Sequence, residues 1–422
     1  MFGSAQQQSV SVADKVKTFT PFVKNSIFSN PFRGSHKTDF IIFDHPRKVL
    51  FKNEYRDIYS YFLIDLLKDY SFEVMEAPYL NNHYSPKKNY IKYTDRIQLG
   101  SYMYKKSNNI EYEPGEMSVI STVKREIKNR LDLDIDIESI MTQHILNYQY
   151  DYKRYMQLFE KRNPKKIFVV VAYENQAIVS AAKDLNIEVI ELQHGTITDY
   201  HLGYSYPLKT RRKGEIKYFP DKILTFGEYW INDETCPISK ENIIPVGFSY
   251  FQEQSKKFKN ISANDKQILF ISQGVIGKYL SALALKAAEK LPDYNIIYKL
   301  HPGEYETWKN YDDLVKASKL ENVKVIDNSE IELYQLFAQS EYQIGAFSTA
   351  IYEGLMFNCK TFILDVPGIE YLNDLIDDGY VYKINDADDL VENLEKFTPK
   401  EYDENFFFKN FDEKLFNKVI DE

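Results

Sequence analysis

The chain has 422 residues, 44% hydrophobic and 27% charged, with a formal net charge of −9. That length exceeds one typical domain, and the composition is globular rather than disordered or fibrous. The acidic balance argues against a general nucleic-acid surface, no apolar stretch is long enough for a membrane helix, and Cys236 and Cys359 lie too far apart for a metal or redox motif, which predicts free thiols in a reducing compartment.

Residues 1–35 read as a flexible leader. Within it, Val12–Phe28 spaces apolar residues among Lys15, Lys17 and Lys24, which suits either a loosely ordered arm or contact with an anionic membrane surface. It lacks the order of regions that marks a secretory signal. Asp39–Phe43 is a first strand, closed by Asp44-His45-Pro46-Arg47. Tyr59–Leu67 has helical periodicity, and Ser71–Met75 reads as a strand. Residues 78–116, tyrosine-rich and broken by proline and glycine, are expected to form a large loop, with short strands near Ile91–Tyr93 and Ile97–Tyr104. Met117–Leu131 and Ile135–Glu160 are predicted helices, the second ending before Asn163-Pro164. Ile167–Ala172, Glu174–Leu185 and Ile187–Leu192 then give strand, helix and strand, the rhythm of parallel pairing with right-handed crossovers. Lys209–Lys213, KTRRK, is expected as a basic turn near the end of a first domain.

A second series opens with strands at Lys222–Phe226 and Asn242–Val246, each closed by a glycine. Residues 251–266 read as a loop or an exposed helix. Strands over Gln267–Ile271, Tyr294–Leu300, Val323–Ile326, Tyr342–Ile344 and Thr361–Leu364 then alternate with helices over Tyr279–Lys290, Glu304–Ala317, Ile331–Ala338 and Thr349–Met356. This is an α/β pattern of the nucleotide-binding type. The tail Phe406–Ile420 has helix-like apolar spacing. The expected organisation is an α/β protein of two Rossmann-like domains with parallel sheets facing across a cleft, over residues 36–215 and 216–400. A C-terminal helix in 401–422 is expected to pack on the first domain.

The chemistry collects at strand exits, where ligands bind in open α/β sheets. Gln193-His194-Gly195 follows the apolar run Ile187–Leu192. A neutral His194 can take a proton from an attacking hydroxyl; Gly195 admits a close substrate, and Thr196 and Thr198 can orient groups nearby. Asp44, at the exit of the first strand, is the alternative base, with Asp199 and His201 behind it. His301-Pro302 follows Tyr294–Leu300, so His301 can donate to a phosphate oxygen, with Lys299 two residues before it. Spacing alone allows a plain turn histidine equally. Ser348-Thr349 can cap the helix that follows or bind phosphate, and Glu353 in that helix can accept from both hydroxyls of a ribose. Phe270–Gly277, FISQGVIG, offers Ser272 and two glycines to a pyrophosphate, yet matches neither GxGxxG nor GxxxxGK[ST]. No HExxH, CxxC or tight carboxylate cluster points to a metal, and no cofactor is implied.

Three stretches, ELQHGTITDYHLGY, YKLHPGE and AFSTAIYEGLMFNCKTFIL, together resemble bacterial capsule and cell-surface polysaccharide glycosyltransferases of the GT-B type. The set is similar to polysialyltransferases, capsule-synthesis transferases and CDP-glycerol glycerophosphotransferases. The likeness covers roughly residues 165–370, and the first 160 residues resemble no particular family. It implies an inverting, metal-independent transfer from a CMP-, CDP- or UDP-linked donor to a glycan or glycolipid acceptor, at the inner face of the plasma membrane. It implies His301 with Ser348-Thr349 on the donor phosphate, Glu353 on the ribose and His194 as base, an N-terminal carboxylate such as Asp44 taking that role in the sialyltransferase branch. Gln193, Gly195, Thr196 and His201 would line the acceptor side. Transfer of glycerol or ribitol phosphate, a related nucleotide-sugar epimerase or hydrolase on the same two-domain plan, and a non-enzymatic assembly protein on a degenerate fold are the alternatives.

Overall fold

The computed structural model describes residues 22–422 apart from 35, 47, 80–81, 213–215, 233 and 259. Lys15 and Lys17 of the expected membrane-contacting leader therefore lie outside the described residues; residues 22–28 are helical. The chain forms two compact units. Unit 1 holds the described residues up to His194 and those of 214–223; unit 2 holds those of 195–213 and 224–422.

The first sheet comprises β1 (Phe40–Phe43), β4 (Phe72–Glu76), β5 (Ile91–Tyr93), β6 (Lys166–Val170), β7 (Glu188–Leu192), β8 (Lys222–Thr225) and β9 (Ile243–Pro245). Its order is β5-β4-β1-β6-β7-β8-β9, and β1 pairs in parallel with both β4 and β6. Every residue of β1 and β6 is buried, as expected where helices cover both faces and strands read as unbroken apolar runs. A separate hairpin, β2 (Val49–Phe51) and β3 (Glu54–Arg56), turns at Lys52-Asn53, both with positive φ, the backbone of a tight two-residue hairpin turn.

Unit 2 contains β10 (Asn264–Ile271), β11 (Asn295–Lys299), β12 (Val323–Ile326), β13 (Ser340–Gly345), β14 (Lys360–Leu364) and β15 (Tyr382–Ile384), in the order β12-β11-β10-β13-β14-β15, with every pairing parallel. Counted from its own first strand, this is the order 3-2-1-4-5-6 of the Rossmann fold. The first sheet follows the same order through β5, β4, β1, β6, β7 and β8. The architecture is thus a pair of Rossmann-like α/β units with parallel sheets. In each, strand order reverses beside the first strand: between β1 and β6 in one sheet, between β10 and β13 in the other. Crevices at such switch points receive ligands.

Several local expectations are corrected. Ile97–Tyr104 is not a strand but the middle of a helix, Asp95–Ser107, which buries Ile97 and Ser101 at i and i+4 instead of alternating faces. Leu208–Arg212 is a short helix where KTRRK reads as a turn, Lys213 lying outside the described residues. Glu304–Ala317 is helical only from Asp312; before it come 3-10 turns at Pro302–Glu304 and Trp308–Asn310. Separately, residues 406–411 pack on Phe226, Trp230 and Phe251, beside strands β8 and β9. The Trp230 indole donates to the Phe407 carbonyl at 2.7 Å. Gly247 has φ +95°, and a Cβ there would meet the Lys409 carbonyl oxygen at 2.6 Å. The last helix is Glu413–Asp421, capped by Asp412.

Two long helices of unit 1 carry clear end signals. Pro114–Leu131 starts with a reciprocal cap between Glu113 and Glu116. Ile137–Arg162 is capped by Asp136 and ends at Asn163 in the left-handed conformation, before Pro164. Its last residue, Arg162, is fully buried; it pairs with Glu73 at 2.7 Å and donates to the carbonyls of Pro31 and Arg33. Among the described residues no helix is long and apolar enough to cross a membrane.

Candidate functional site

Strands of a parallel sheet all exit on one edge, so residues distant in sequence can meet there. In unit 1, Asp44 and His45 follow β1, Tyr173 follows β6 and His194 follows β7. The His45 and His194 rings stack 6.2 Å apart with 20° between their planes, and the rings of Tyr59 and Tyr173 each lie 6.1 Å from His194. The turn after β6 passes through Val171 at φ +62°, a region a β-branched residue enters only under constraint. That constraint comes from Glu191 on β7, which accepts from the Ala172 amide at 2.9 Å, and from Asn175, whose amide donates to the Val170 and Val171 carbonyls. Strain held there sets Tyr173 beside His194.

Asp44 is almost completely enclosed, its side chain 7% exposed. Lys48, four residues further on, donates to its Oδ2, and also to the His45 carbonyl at 2.7 Å. The other oxygen, Oδ1, is buried without a hydrogen-bond partner among the described residues. Burial pushes the carboxyl up to about 8; the Lys48 ammonium opposes this, and the Asp57 and Glu76 carboxylates add to it. Asp57 fixes the loop, accepting from the His45 amide at 3.0 Å, the Tyr59 amide at 2.9 Å and the Ser60 hydroxyl at 2.6 Å. Asp44 and Asp57 line a cavity of about 220 Å³ with Glu54, Arg56, Asp65 and Lys88. Behind it, His83 contacts Glu76 at 2.7 Å and Asp95 at 2.8 Å, with Tyr93 stacked 3.6 Å away. Burial alone would lower the His83 pKa; the bonds to Asp95 and Glu76 outweigh it and raise the value to about 9.

In unit 2 the exits of β10, β11 and β13 carry Ser272, His301 and Ser348. His301 Nδ1 accepts from the Gly303 amide at 3.1 Å, so the neutral ring carries its proton on Nε2 and presents a donor. Ser348 caps the helix Thr349–Leu355, accepting from Ala350 N at 3.3 Å. Gly195 belongs to this unit, and a Cβ on it would lie 3.8 Å from Thr349 Oγ1. Glu353 is half-buried and accepts from the Tyr334 hydroxyl at 2.7 Å; burial pushes it up to about 7, against that bond.

Other expected site residues have structural engagements. Lys299 donates to the Tyr305 hydroxyl at 2.7 Å and to the Asn328 carbonyl. The Ser272 hydroxyl is buried, donating to Glu304 at 3.0 Å. His201 Nδ1 accepts from the Gly203 amide and its ring packs on Tyr204 and Tyr371; burial lowers its pKa. Gln193 is buried, Thr196 half-buried. Asp199, an alternative base, is exposed and accepts from Asn232 and Thr235. Sequence reasoning missed Lys48, His83, Glu304 and Tyr334. The i, i+4 spacing of Asp44 and Lys48 and the capping spacing of His301 and Glu304 were readable signals; nothing local pointed to His83 or Tyr334. Among the described residues no group of three or more His, Cys, Asp or Glu side chains is arranged to hold a metal.

No protein-family model matches the chain. An uncharacterized protein of Methanocaldococcus jannaschii is 28% identical over 191 residues, 43% of this chain, which spans only 32% of that protein's length. Solved structures match far more extensively. UDP-GlcNAc 2-epimerase from M. jannaschii aligns over 91% of this chain and 99% of its own, at a TM-score of 0.52 and 13% identity. The Neisseria meningitidis UDP-GlcNAc 2-epimerase bound to UDP-GlcNAc aligns over 90% and 98%, at 0.50 and 15%. A complex of the M. jannaschii enzyme with UDP-GlcNAc and UDP gives 0.52 at 12% identity over 90% and 99%. At these identities the likeness is one of fold.

It corrects the resemblance drawn from the motifs. The three structures above are UDP-GlcNAc 2-epimerases rather than polysaccharide transferases, and the ligands two of them are named with are UDP-GlcNAc and UDP. Glycosyl transfer, glycerol- or ribitol-phosphate transfer, the degenerate assembly protein, the CMP- or CDP-linked donor, the glycan or glycolipid acceptor and the membrane association are withdrawn. Strand-exit histidines and a helix-capping serine suit any protein that handles a nucleotide diphosphate on two Rossmann units, so the motifs could not separate transfer from isomerisation.

Proposed function

We propose that the chain is a nucleotide-sugar isomerase that inverts carbon 2 of UDP-GlcNAc or a closely related UDP-linked amino sugar. The observation that carries this reading is the group at the strand exits of unit 1: the stacked His45 and His194, with the buried Asp44 next to His45, its Oδ1 without a hydrogen-bond partner among the described residues. Inverting a carbon centre by proton exchange needs one group that accepts a proton and another that returns it, with their affinities held apart. The fold likeness to UDP-GlcNAc 2-epimerases supplies the substrate class.

The C2–H bond is not acidic by itself. It yields its proton only if the electron pair has somewhere to go, and the diphosphate on C1 provides that outlet. In the proposed reaction, neutral His194 takes the C2 proton. The C2–H pair becomes a C1=C2 double bond, and the C1–O bond breaks to release UDP. Return runs in reverse: UDP oxygen re-forms the C1–O bond, and C2 takes a proton on its opposite face, from Asp44. Within unit 2, His301 through Nε2–H and the Ser348-Thr349 step are the groups suited to a diphosphate, and Glu353 to ribose hydroxyls. A cytoplasmic location goes with such a substrate.

Proton NMR of the protein with UDP-GlcNAc in D₂O tests this. The 2-epimer and deuterium at C2 are expected together. A substrate that neither exchanges at C2 nor loses UDP rejects the reading.

A further inference from the structure

Glu304 is a carboxyl that the reaction above does not use, yet it is 2% exposed and lies beneath two of the strand exits. Its Oε2 accepts from the His301 amide at 3.1 Å, while His301 Nδ1 accepts from the Gly303 amide in return, a reciprocal cap over Pro302–Glu304. Its Oε1 accepts from the Ser272 hydroxyl at 3.0 Å, at the exit of the neighbouring strand β10. Ser272 in turn reaches the Tyr298 hydroxyl at 3.2 Å. Both glycines of FISQGVIG lie against this carboxyl. A Cβ on Gly277 would approach Oε1 to 2.6 Å, and one on Gly274 would lie 3.6 Å from the Glu304 Cγ. Gly277 is thus the room that the buried glutamate and the Tyr311 ring, 2.8 Å from the Gly277 Cβ position, need, while Gly274 lies in ordinary contact with the glutamate.

A neutral side chain could cap so short a turn at less cost, because burying a carboxyl is unfavourable unless its oxygens are bonded. Both oxygens here are bonded, and to different strand exits. We propose that Glu304 is a positioning residue that holds His301, in its Nε2–H tautomer, and the 272–277 loop as one rigid rim of unit 2. The inference rests on the reading that this rim faces the diphosphate. Its geometry does not depend on which reaction follows.

The test uses the full chain with UDP as probe. Ring ¹⁵N shifts of His301, identified by their loss in His301→Gln, report the tautomer without any ligand. The wild type is expected to show a single Nε2–H form. Glu304→Gln is expected to keep it, because the amide oxygen can accept from His301 and the amide nitrogen can donate to Ser272. Glu304→Ala is expected to show mixed tautomers and a UDP Kd raised roughly tenfold. A single tautomer in Glu304→Ala, or a Glu304→Gln protein as defective as the alanine variant, overturns the proposal. Should Glu304→Ala fail to fold, Ser272→Ala takes its place: amide exchange over 272–277 is expected to quicken about tenfold, and unchanged exchange overturns the coupling. If wild-type protein does not bind UDP, the nucleotide reading falls while the tautomer arm still decides the role of Glu304.

Discussion

The imidazoles of His45 and His194 lie nearly parallel, 6.2 Å apart, although one follows β1 and the other β7. Between those strands lies β6, whose exit turn adds Tyr173 to the group. Parallel pairing, not sequence proximity, brings them together. His194→Ala is predicted to slow C2 deuterium exchange by 10² or more, a typical contribution of a positioned general base. Full exchange in that variant would remove His194 from the reaction.

In the proposed reaction Asp44 carries the pH dependence of the return step. With its carboxyl pushed up to about 8, the protonated form is present at neutral pH and lost as pH rises through that value. Epimerisation is predicted to decline above about pH 8, and Asp44→Asn to remove that limb while lowering the rate 10²-fold or more. A pH–rate profile of both proteins is decisive: an alkaline limb surviving in the asparagine variant belongs to another group.

His83 makes a separate prediction about stability. Its folded pKa of about 9 exceeds the ordinary 6.5. The stabilisation from its two carboxylate bonds is therefore complete below about pH 6.5 and lost as pH rises through about 9. By linkage, the difference between 6.5 and about 9 corresponds to about 3 kcal/mol across that window. Urea denaturation at pH 6 and pH 9.5, compared with His83→Gln, checks it; the variant should show a flatter profile.

Arg162 offers a sharper test of packing in unit 1. Removing one member of a buried ion pair leaves the other charge without compensation. Arg162→Ala takes from the buried Glu73 its closest cation, leaving it His36 at 3.1 Å and Lys92 at 3.9 Å, and also frees the Pro31 and Arg33 carbonyls. A loss of about 3–5 kcal/mol is expected. A double variant, Arg162→Met with Glu73→Leu, is expected to recover much of it.

Glu353, pushed up to about 7 by burial, must be ionised to accept from both ribose hydroxyls. UDP affinity is predicted to fall as pH drops below about 7, by roughly tenfold per pH unit at most. Calorimetric titration from pH 5.5 to 8 measures this, and Glu353→Gln should flatten the dependence. A wild-type affinity that does not change over that range would exclude the ribose role.

The pair of α/β units was legible because buried parallel strands announce themselves as apolar runs: FIIF of β1 and KIFVV of β6 needed no context. The strand order 3-2-1-4-5-6 was not legible, since pairing partners of parallel strands are set by crossovers. The hairpin at Lys52-Asn53 escaped for a different reason. Its strands are three residues each and mostly not buried, so no apolar alternation marks them. Helix Asp95–Ser107 was misread because its tyrosines suit either structure and its N-terminus has no side-chain cap. At the candidate site, His194, His301, Ser348 and Asp44 stood out as polar residues closing apolar runs. Their helpers did not. Lys48 and Glu304 act through contacts folded back on their own loops, and His83 gains meaning only from Glu76 and Asp95.

The aromatic tail segment also constrains the order in which unit 2 can be completed. The Trp230 indole finds its acceptor on Phe407, 177 positions later. Backbone bonds run from Lys409 to the Phe226 carbonyl and from Asp412 to the Val246 carbonyl. During synthesis the residues around Phe226 and Gly247 must therefore wait, apolar rings uncovered, until the whole β10–β15 sheet and the segment after it have been made. Such a wait exposes an intermediate to aggregation and gives unit 2 a long-range closure step. A chain arrested on the ribosome before residue 406 should be protease-sensitive around Trp230 even though its Rossmann sheet is complete.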